Sequence, residues 1–402
     1  MSDTITLWNS SDDDMLSTGR GGWLAGTCAK ERKRGQTPPK DYSRSFASLD
    51  SSLSVTQRFL KMVSDAPVVL FHYPHSPFSY RVLSYLALRG IPYDQCIQPQ
   101  ILPRPDLARL GIRYRRIPLL SIGRDVYLDS PLILERLERL EAGKPSFASQ
   151  ATPTQQGLER LLASYTLDTS FFMNIVKVLL PTTPLISHEP FLKDRADMVG
   201  GGPSLNFADL IQATRPDAIV AVKNTIEFLE TTLLADGREW LANTDAPGLG
   251  DIETAWALSW LFSTPGAVPE QHISPRAFPK VFAWVNRFQK AVRAAEKSLP
   301  KINTLSGEQV AELLNKAASD HTADVIEEND PLVQANGFHR GQLVHVWPTD
   351  SGARHKTVGK LVGLTSKEIT IETTEGEVAV RVHAPRKGFR VGAAGPEKAN
   401  LS

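Results

Sequence analysis

Hydrophobic and polar positions change period three times along the chain, and each change predicts a change of architecture. Residues 1–65 are rich in Ser, Asp, Gly, Lys and Arg without sustained period, which predicts a disordered tail. Order begins near Ala66. Val68-Val69-Leu70-Phe71 is too apolar to face water and predicts a central strand. Val82, Leu83, Leu86 and Ala87 then recur at helical spacing, and Gly90 is placed to stop that helix. Ile91 to Ile97 reads as a second strand reached by a right-handed crossover. Pro99 to Leu110 reads as a loop with one helical turn. Ile117 to Ile122 and Val126 to Leu128 flank Gly123-Arg124-Asp125, the signal of a hairpin. Ser130 to Glu141 is amphipathic, with Leu132, Ile133, Leu137 and Leu140 on its apolar side. The order βαβαββα over residues 66–145 is that of a thioredoxin-like α/β domain.

Over residues 150–320 the strand patterns give way to an all-α reading. Leu158 to Leu180 predicts one long helix, stopped by Pro181 and Pro184. Pro216 to Leu234 predicts a second, with Ile219, Val222, Ile226, Leu229 and Leu233 as its buried stripe. Asp251 to Phe262 and Pro275 to Glu296 give two more. Gly200-Gly201-Gly202 follows no strand, which argues against a phosphate cradle. Over residues 332–392 the period shortens again. QLVHVWP, TVGKLVGLT, EITIETTEG and EVAVRVHAP alternate in short runs, and four or five such strands predict a small SH3-like β-barrel module.

Composition narrows the function classes. A chain of 402 residues suits two to three domains, and 41% hydrophobic with 22% charged content is ordinary for a globular protein. A net charge of +1 gives no reason to expect nucleic acid or a membrane surface as a partner. Two cysteines, Cys28 and Cys96, make no disulfide framework and suit a reducing compartment. No apolar run approaches the ~20 residues needed to span a bilayer. Met1 to Arg20 lacks the pattern of a signal peptide, so a cytoplasmic protein is expected. The run KERKRG (Lys30 to Gly35) reads as a solvated basic stretch, with a nuclear signal as the alternative.

The candidate chemistry centres on Ser76. Ser at an N-cap followed by Pro at the first helical position is a common helix start, and a plain cap is the simplest role for it. The same geometry can hold a thiolate, because a helix N-terminus carries unpaired N–H groups and partial positive charge. Lowering a thiol pKa from ~8.5 by about two units requires roughly 2.7 kcal/mol of preference for the anion. One hydroxyl bond to a charged acceptor contributes about 1.5–3 kcal/mol and the helix dipole about 0.3–1, so a single serine suffices. Cys96 lies in an alternating strand and reads as a structural buried thiol. His72 and His75 lack the spaced partners that a metal would need, so no metal site is expected.

The segment from Pro67 to Tyr93, with SPFSYRV after an apolar strand, then RRIPLL and YLDSPLIL, resembles the thioredoxin-like half of the glutathione S-transferases, in particular their serine-type classes. The resemblance spans roughly residues 66–300. It is closest to divergent members from filamentous fungi, which also carry a small C-terminal β-module resembling the segment around VHAPRKGF. It implies that Ser76 activates the thiol of glutathione as co-substrate, for transfer to a small apolar electrophile or for isomerisation or lysis of one. It further implies that Pro118 is cis and leaves Ile117 free to pair with the cysteinyl backbone, while Asp129 and Ser130 hold the γ-glutamyl end. A homodimer is compatible with this family. Tyr73 is the alternative thiol partner, and Tyr165, Phe171, Phe172, Trp256 and Trp260 are candidate lining of an electrophile pocket, or plain core. Glutaredoxin-like members carry cysteine where Ser76 and Ser79 stand here, so dithiol exchange is excluded at this site.

The chain departs from the family at two places. GIRYRRIP replaces the usual approach to the cis-proline, leaving Arg113, Arg115 or Arg116 to grip the glycyl carboxylate or to face solvent. PGLGDIETAW resembles the family's folding box with Asp251 in the acidic place, but Gly248 supplies no capping side chain. The competing function is a non-catalytic scaffold for dimerisation or protein interaction, as in translation-factor subunits.

Overall fold

The computed structural model of the chain describes residues 66–141, 143–201, 205–321 and 324–394. The expected tail, the Lys30 to Gly35 run and Cys28 lie outside the described residues. Strand β1 (Val68–His72) has Val69, Leu70 and Phe71 fully buried, as their unbroken apolar run requires. It pairs in parallel with β2 (Asp94–Ile97) and antiparallel with β3 (Leu119–Ile122), which turns into β4 (Asp125–Leu128). Helix α1 (Pro77–Arg89) makes the crossover, and Gly90, at φ +66°, ends it by bonding back to the Ala87 carbonyl. Helices α2 (Pro105–Ala108) and α3 (Ser130–Arg139) complete a thioredoxin-like βαβαββα unit.

The helical part comprises α4 (Phe147–Gln150), α5 (Pro153–Asp168), α6 (Phe171–Leu179), α7 (Glu189–Met198), α8 (Phe207–Ala213), α9 (Arg215–Phe228), α10 (Leu249–Ser263), α11 (Pro279–Glu296), α12 (Gly307–Lys316) and α13 (Pro331–Asn336). The single helix expected from Leu158 to Leu180 is broken at Thr169 and Ser170. Thr169 takes an extended backbone, its hydroxyl donates to the Tyr165 carbonyl at 2.6 Å, and it accepts from the Phe171 amide at 3.2 Å. A side chain that bonds locally in this way competes with helix continuation. Helix α10 runs through the middle and packs on α1 and α5, with Ile252, Ala255, Trp256, Leu258 and Leu261 fully buried. Asp251 at its start accepts from the Gly248 amide, the Leu241 amide and Trp284 Nε1 at 2.8–3.0 Å. The missing cap side chain at Gly248 is thus offset by an acid that ties three segments together.

The C-terminal strands depart from a self-contained barrel. Strands β5 (Leu343–Pro348), β6 (Thr357–Leu364), β7 (Glu368–Thr373) and β8 (Arg381–Pro385) form an antiparallel meander, and β9 (Phe389–Ala393) returns to pair with β5. Strand β8 also pairs in parallel with β4, giving one nine-stranded sheet of order β2-β1-β3-β4-β8-β7-β6-β5-β9. An edge strand offers unpaired N–H and C=O groups, and β8 covers the edge that β4 would leave open. A second joint lies at Gly111 and Gly376, both at positive φ. A Cβ on Gly111 would meet the Glu375 carbonyl oxygen at 2.0 Å, so the two turns approach closely only because both residues are glycine.

The β4–β8 seam carries a buried charge cluster. His383 donates from Nε2 to Asp125 Oδ1 at 2.8 Å and from Nδ1 to Glu368 Oε1, with His383 and Asp125 each 1% exposed. Only a doubly protonated ring satisfies both carboxylates. Burial opposes that charge, but Asp125 and Glu368 outweigh it and push the His383 pKa up to about 9. Tyr127 stacks on the ring at 4.6 Å.

His383→Gln should therefore cost about 3–5 kcal/mol, because it strands the buried Asp125 carboxylate beside the half-buried one of Glu368. The folded pKa lies above the unfolded value of 6.5, so the stabilisation is complete below about pH 6.5 and is lost as pH rises through about 9. Urea unfolding should show the gap between wild type and variant narrowing over that interval, and a gap independent of pH would contradict the charged seam.

Candidate functional site

Strand register brings the expected site residues to one end of the thioredoxin-like sheet. Phe71 pairs with Leu119, and Leu119 with Leu128. One step further along, Pro118 lies between His72, which leads into the Ser76 turn, and Asp129, which begins α3. The Ile117–Pro118 peptide is cis, as expected. Ile117 is 8% exposed, and among the described residues its amide and carbonyl make no hydrogen bond.

Ser76 caps α1. Its backbone is extended and its Oγ accepts from the Ser79 amide at 3.3 Å, with the residue 4% exposed. An oxygen that accepts from an amide still carries its own proton, and the Ser76 hydroxyl has no acceptor among the described residues. Tyr73 is half-buried beneath the Arg104 guanidinium, 6.0 Å from its ring centroid. His72 bonds Gln95 at 2.9 Å, and burial lowers its pKa. Cys96 is buried, and desolvation with Asp106 nearby raises its thiol pKa to about 12, so it is inert in the structural sense expected.

Asp129 sits at φ +68° and accepts from the Ser130 amide at 2.9 Å through Oδ1. Its other oxygen faces Arg116 Nη2 at 3.2 Å. Arg116 also bonds Tyr114 through Nε at 2.9 Å and Asp350, from the β5–β6 loop, at 3.0 Å. Burial works against the Arg116 charge, but Tyr114, Asp129 and Asp350 outweigh it and hold its pKa above the ordinary range. Ser130 turns the other way. Its hydroxyl accepts from Arg81 Nη1 at 2.6 Å, and Arg81 is fully buried against Glu253 of α10, whose pKa burial raises. Ser130 therefore joins the two halves of the molecule, and Arg116 is the cation beside Asp129.

Of the other arginines, Arg113 is exposed and pairs with Glu375 at 2.8 Å, while Arg115 is buried against Asp194 at 2.8 Å and Asp197. Phe171 and Trp256 are core. Phe172 stacks on Trp256 at 5.4 Å and on Trp260 at 6.0 Å, and Phe78, two residues after Ser76, closes the group at 4.6 Å from Phe172. Tyr165 is 38% exposed and bonds Thr225 at 3.0 Å. The aromatic residues thus make a packed seam between α1 and the helical part. Arg81 and Glu253 escaped the sequence reading, although a charge inside the apolar Leu249–Phe262 run is a signal that a buried partner exists.

The fold that carries this sheet edge, with its cis-proline and acid–Ser helix start, is glutathione S-transferase-like. Residues 70–145 match the family model described as glutathione S-transferase, N-terminal domain, and residues 175–297 match a domain of unknown function, DUF7962. Among solved structures the chain is similar to a GST-like protein from Pseudomonas syringae, with 23% identity, TM-score 0.58, and coverage of 82% of this chain and 100% of that one. It is also similar to a beta-etherase from Sphingobium (18% identity, TM-score 0.42, 57% of this chain and 98% of that one). A rice glutathione S-transferase in complex with glutathione matches at 18% identity and TM-score 0.39, over 62% and 95% of the two chains. At these identities the likeness is one of fold. No curated protein sequence matches the chain. No helix among the described residues is long and apolar enough to cross a membrane.

Arg81→Met should cost about 3–5 kcal/mol in chemical denaturation, because it leaves Glu253 charged and unpaired in the core. Adding Glu253→Met should restore most of that loss. A double variant as unstable as the single one would show that the pair acts through Ser130 instead.

Proposed function

We propose that the protein binds glutathione along the cis-proline edge and activates its thiol for reaction with a small apolar electrophile. The observation that carries this reading is Ile117. A buried backbone N–H and C=O without partners are costly, and an extended peptide laid beside Pro118 satisfies both. Asp129 and Arg116 present opposite charges side by side, which suits the ammonium and carboxylate of a γ-glutamyl end. Ser130 contributes to this by fixing the Asp129 carboxylate with its amide, while its hydroxyl is turned to Arg81. Glutathione supplies the nucleophilic sulfur. Ser76 holds its hydroxyl proton free at the N-terminus of α1, where a donor stabilises a thiolate.

A second reading, a non-catalytic scaffold, is favoured by the low exposure of Ser76 and by the C-terminal loops. Asp350 reaches Arg116, and Lys387 pairs with Asp168 at the end of α5, so this sheet touches both halves near the proposed site. The return of β9 to β5 supports an SH3-like reading of the strands, and such modules bind partners.

Isothermal titration and a conjugation assay separate the two. Asp129→Ala should abolish glutathione binding, whereas Ser76→Ala should leave affinity within about threefold and cut turnover about 30–100-fold as the bound thiol returns toward its ordinary pKa. The cap loss in Ser76→Ala should also lower stability by about 1 kcal/mol. Wild-type protein that neither binds glutathione nor conjugates any test electrophile would leave the scaffold reading standing.

A further inference from the structure

A cleft of about 530 Å³ opens between the Leu102–Pro105 loop and strands β5 and β6. None of Ser76, Ile117, Pro118, Asp129 or Ser130 lines it. Its charged lining is one-sided. Arg104, Arg113, His345, Arg354, His355 and Lys356 face it, and no aspartate or glutamate does.

Three of these six groups have carboxylate partners behind the wall. Arg113 pairs with Glu375 at 2.8 Å. Arg354 and His355 share Asp197, at 3.6 and 3.0 Å, and Arg115 claims the same carboxylate. Two cations remain without a carboxylate in contact among the described residues. Arg104 is 9% exposed and bonds only backbone carbonyls, that of Pro99 at 3.1 Å and that of Arg115. Desolvation pulls its guanidinium down to about 10, outweighing the attraction of Tyr73 and Asp194. Lys356 lies 4.3 Å from the centroid of the Trp347 ring with no acid beside it. His345 adds a buried Nδ1 that finds no hydrogen-bond partner in the protein.

A buried guanidinium without a counter-ion is costly to keep unless an anion visits it. Two positive charges without a carboxylate in contact suit a dianion, and a phosphate monoester carries close to two negative charges at neutral pH with three acceptor oxygens. Leu102, Pro103, Ile112 and Val358 give the same cleft apolar walls. The volume lies in the ordinary range for small-molecule sites. We infer that this cleft binds a phosphate monoester with an apolar body, with Arg104 and Lys356 on the phosphate and the Leu102–Pro103 side against the organic group.

Phenyl phosphate is the probe, titrated calorimetrically into the intact chain at fixed ionic strength, with benzoate as a monoanion of similar body. Phenyl phosphate should bind at least tenfold tighter than benzoate, and saturating glutathione should not displace it. Lys356→Gln, an exposed change that leaves the fold alone, and Arg104→Gln should each weaken binding about tenfold or more, the loss expected for one charged hydrogen bond. Absence of binding, equal affinity for benzoate, an unaffected Lys356→Gln variant, or displacement by glutathione would each overturn the assignment. Because glutathione enters only as a competitor, failure of the thiol-transfer reading leaves this test intact.

Discussion

The arrangement of the molecule depends on one buried imidazolium. His383 on β8 lies between Asp125 of β4 and Glu368 of β7, out of water, stacked on Tyr127. Parallel pairing of β4 with β8 is short, and hydrogen bonds of this kind contribute only about 0.5–1.5 kcal/mol each. A charge held between two carboxylates specifies the register, because a one-residue slip would turn His383 to the other face and leave Asp125 and Glu368 repelling each other. With that register set, the loops at Asp350 and Lys387 reach Arg116 and Asp168. The C-terminal strands are thus a structural continuation of the thioredoxin-like sheet, and one wall of its surroundings.

The same logic of buried charge runs through the rest of the molecule. Asp251 and the Arg81–Glu253 pair tie α10 to its neighbours. Arg116 links the sheet edge to a C-terminal loop. Each is a polar connection inside apolar packing, which makes it costly to leave incomplete and so selective for one arrangement. Ser76 illustrates how the site uses such economy of groups. One oxygen caps the helix as acceptor and retains a proton to donate, so the cap and a thiolate partner are compatible roles for one residue.

Local elements were legible in the sequence because local physics sets them. Alternation marked four of the five C-terminal strands, helical spacing marked α1 and α10, and Gly90 and the Gly123 hairpin sat where positive φ demands glycine. The resemblance at RRIPLL led correctly to a cis bond at Pro118. Pairing between distant segments was not legible. Alternation tells that Arg381–Pro385 is a strand but not that its partner is Asp125–Leu128, more than two hundred residues earlier. The break at Thr169 was hidden because a threonine inside a helical pattern reveals its competing side-chain bonds only in three dimensions. At the site, residue types placed Asp129 and Ser130 at a helix start, yet the direction of the Ser130 hydroxyl depends on Arg81, and that dependence on Glu253.

The protonation state of His383 tests this account most directly. Nitrogen NMR of protein labelled in its histidine rings, with His383 assigned by comparison with the His383→Gln variant, reads both ring nitrogens separately. At neutral pH Nδ1 and Nε2 of His383 should both be protonated and stay so well above the ordinary histidine range. A neutral ring with a single protonated nitrogen at neutral pH would contradict the buried imidazolium.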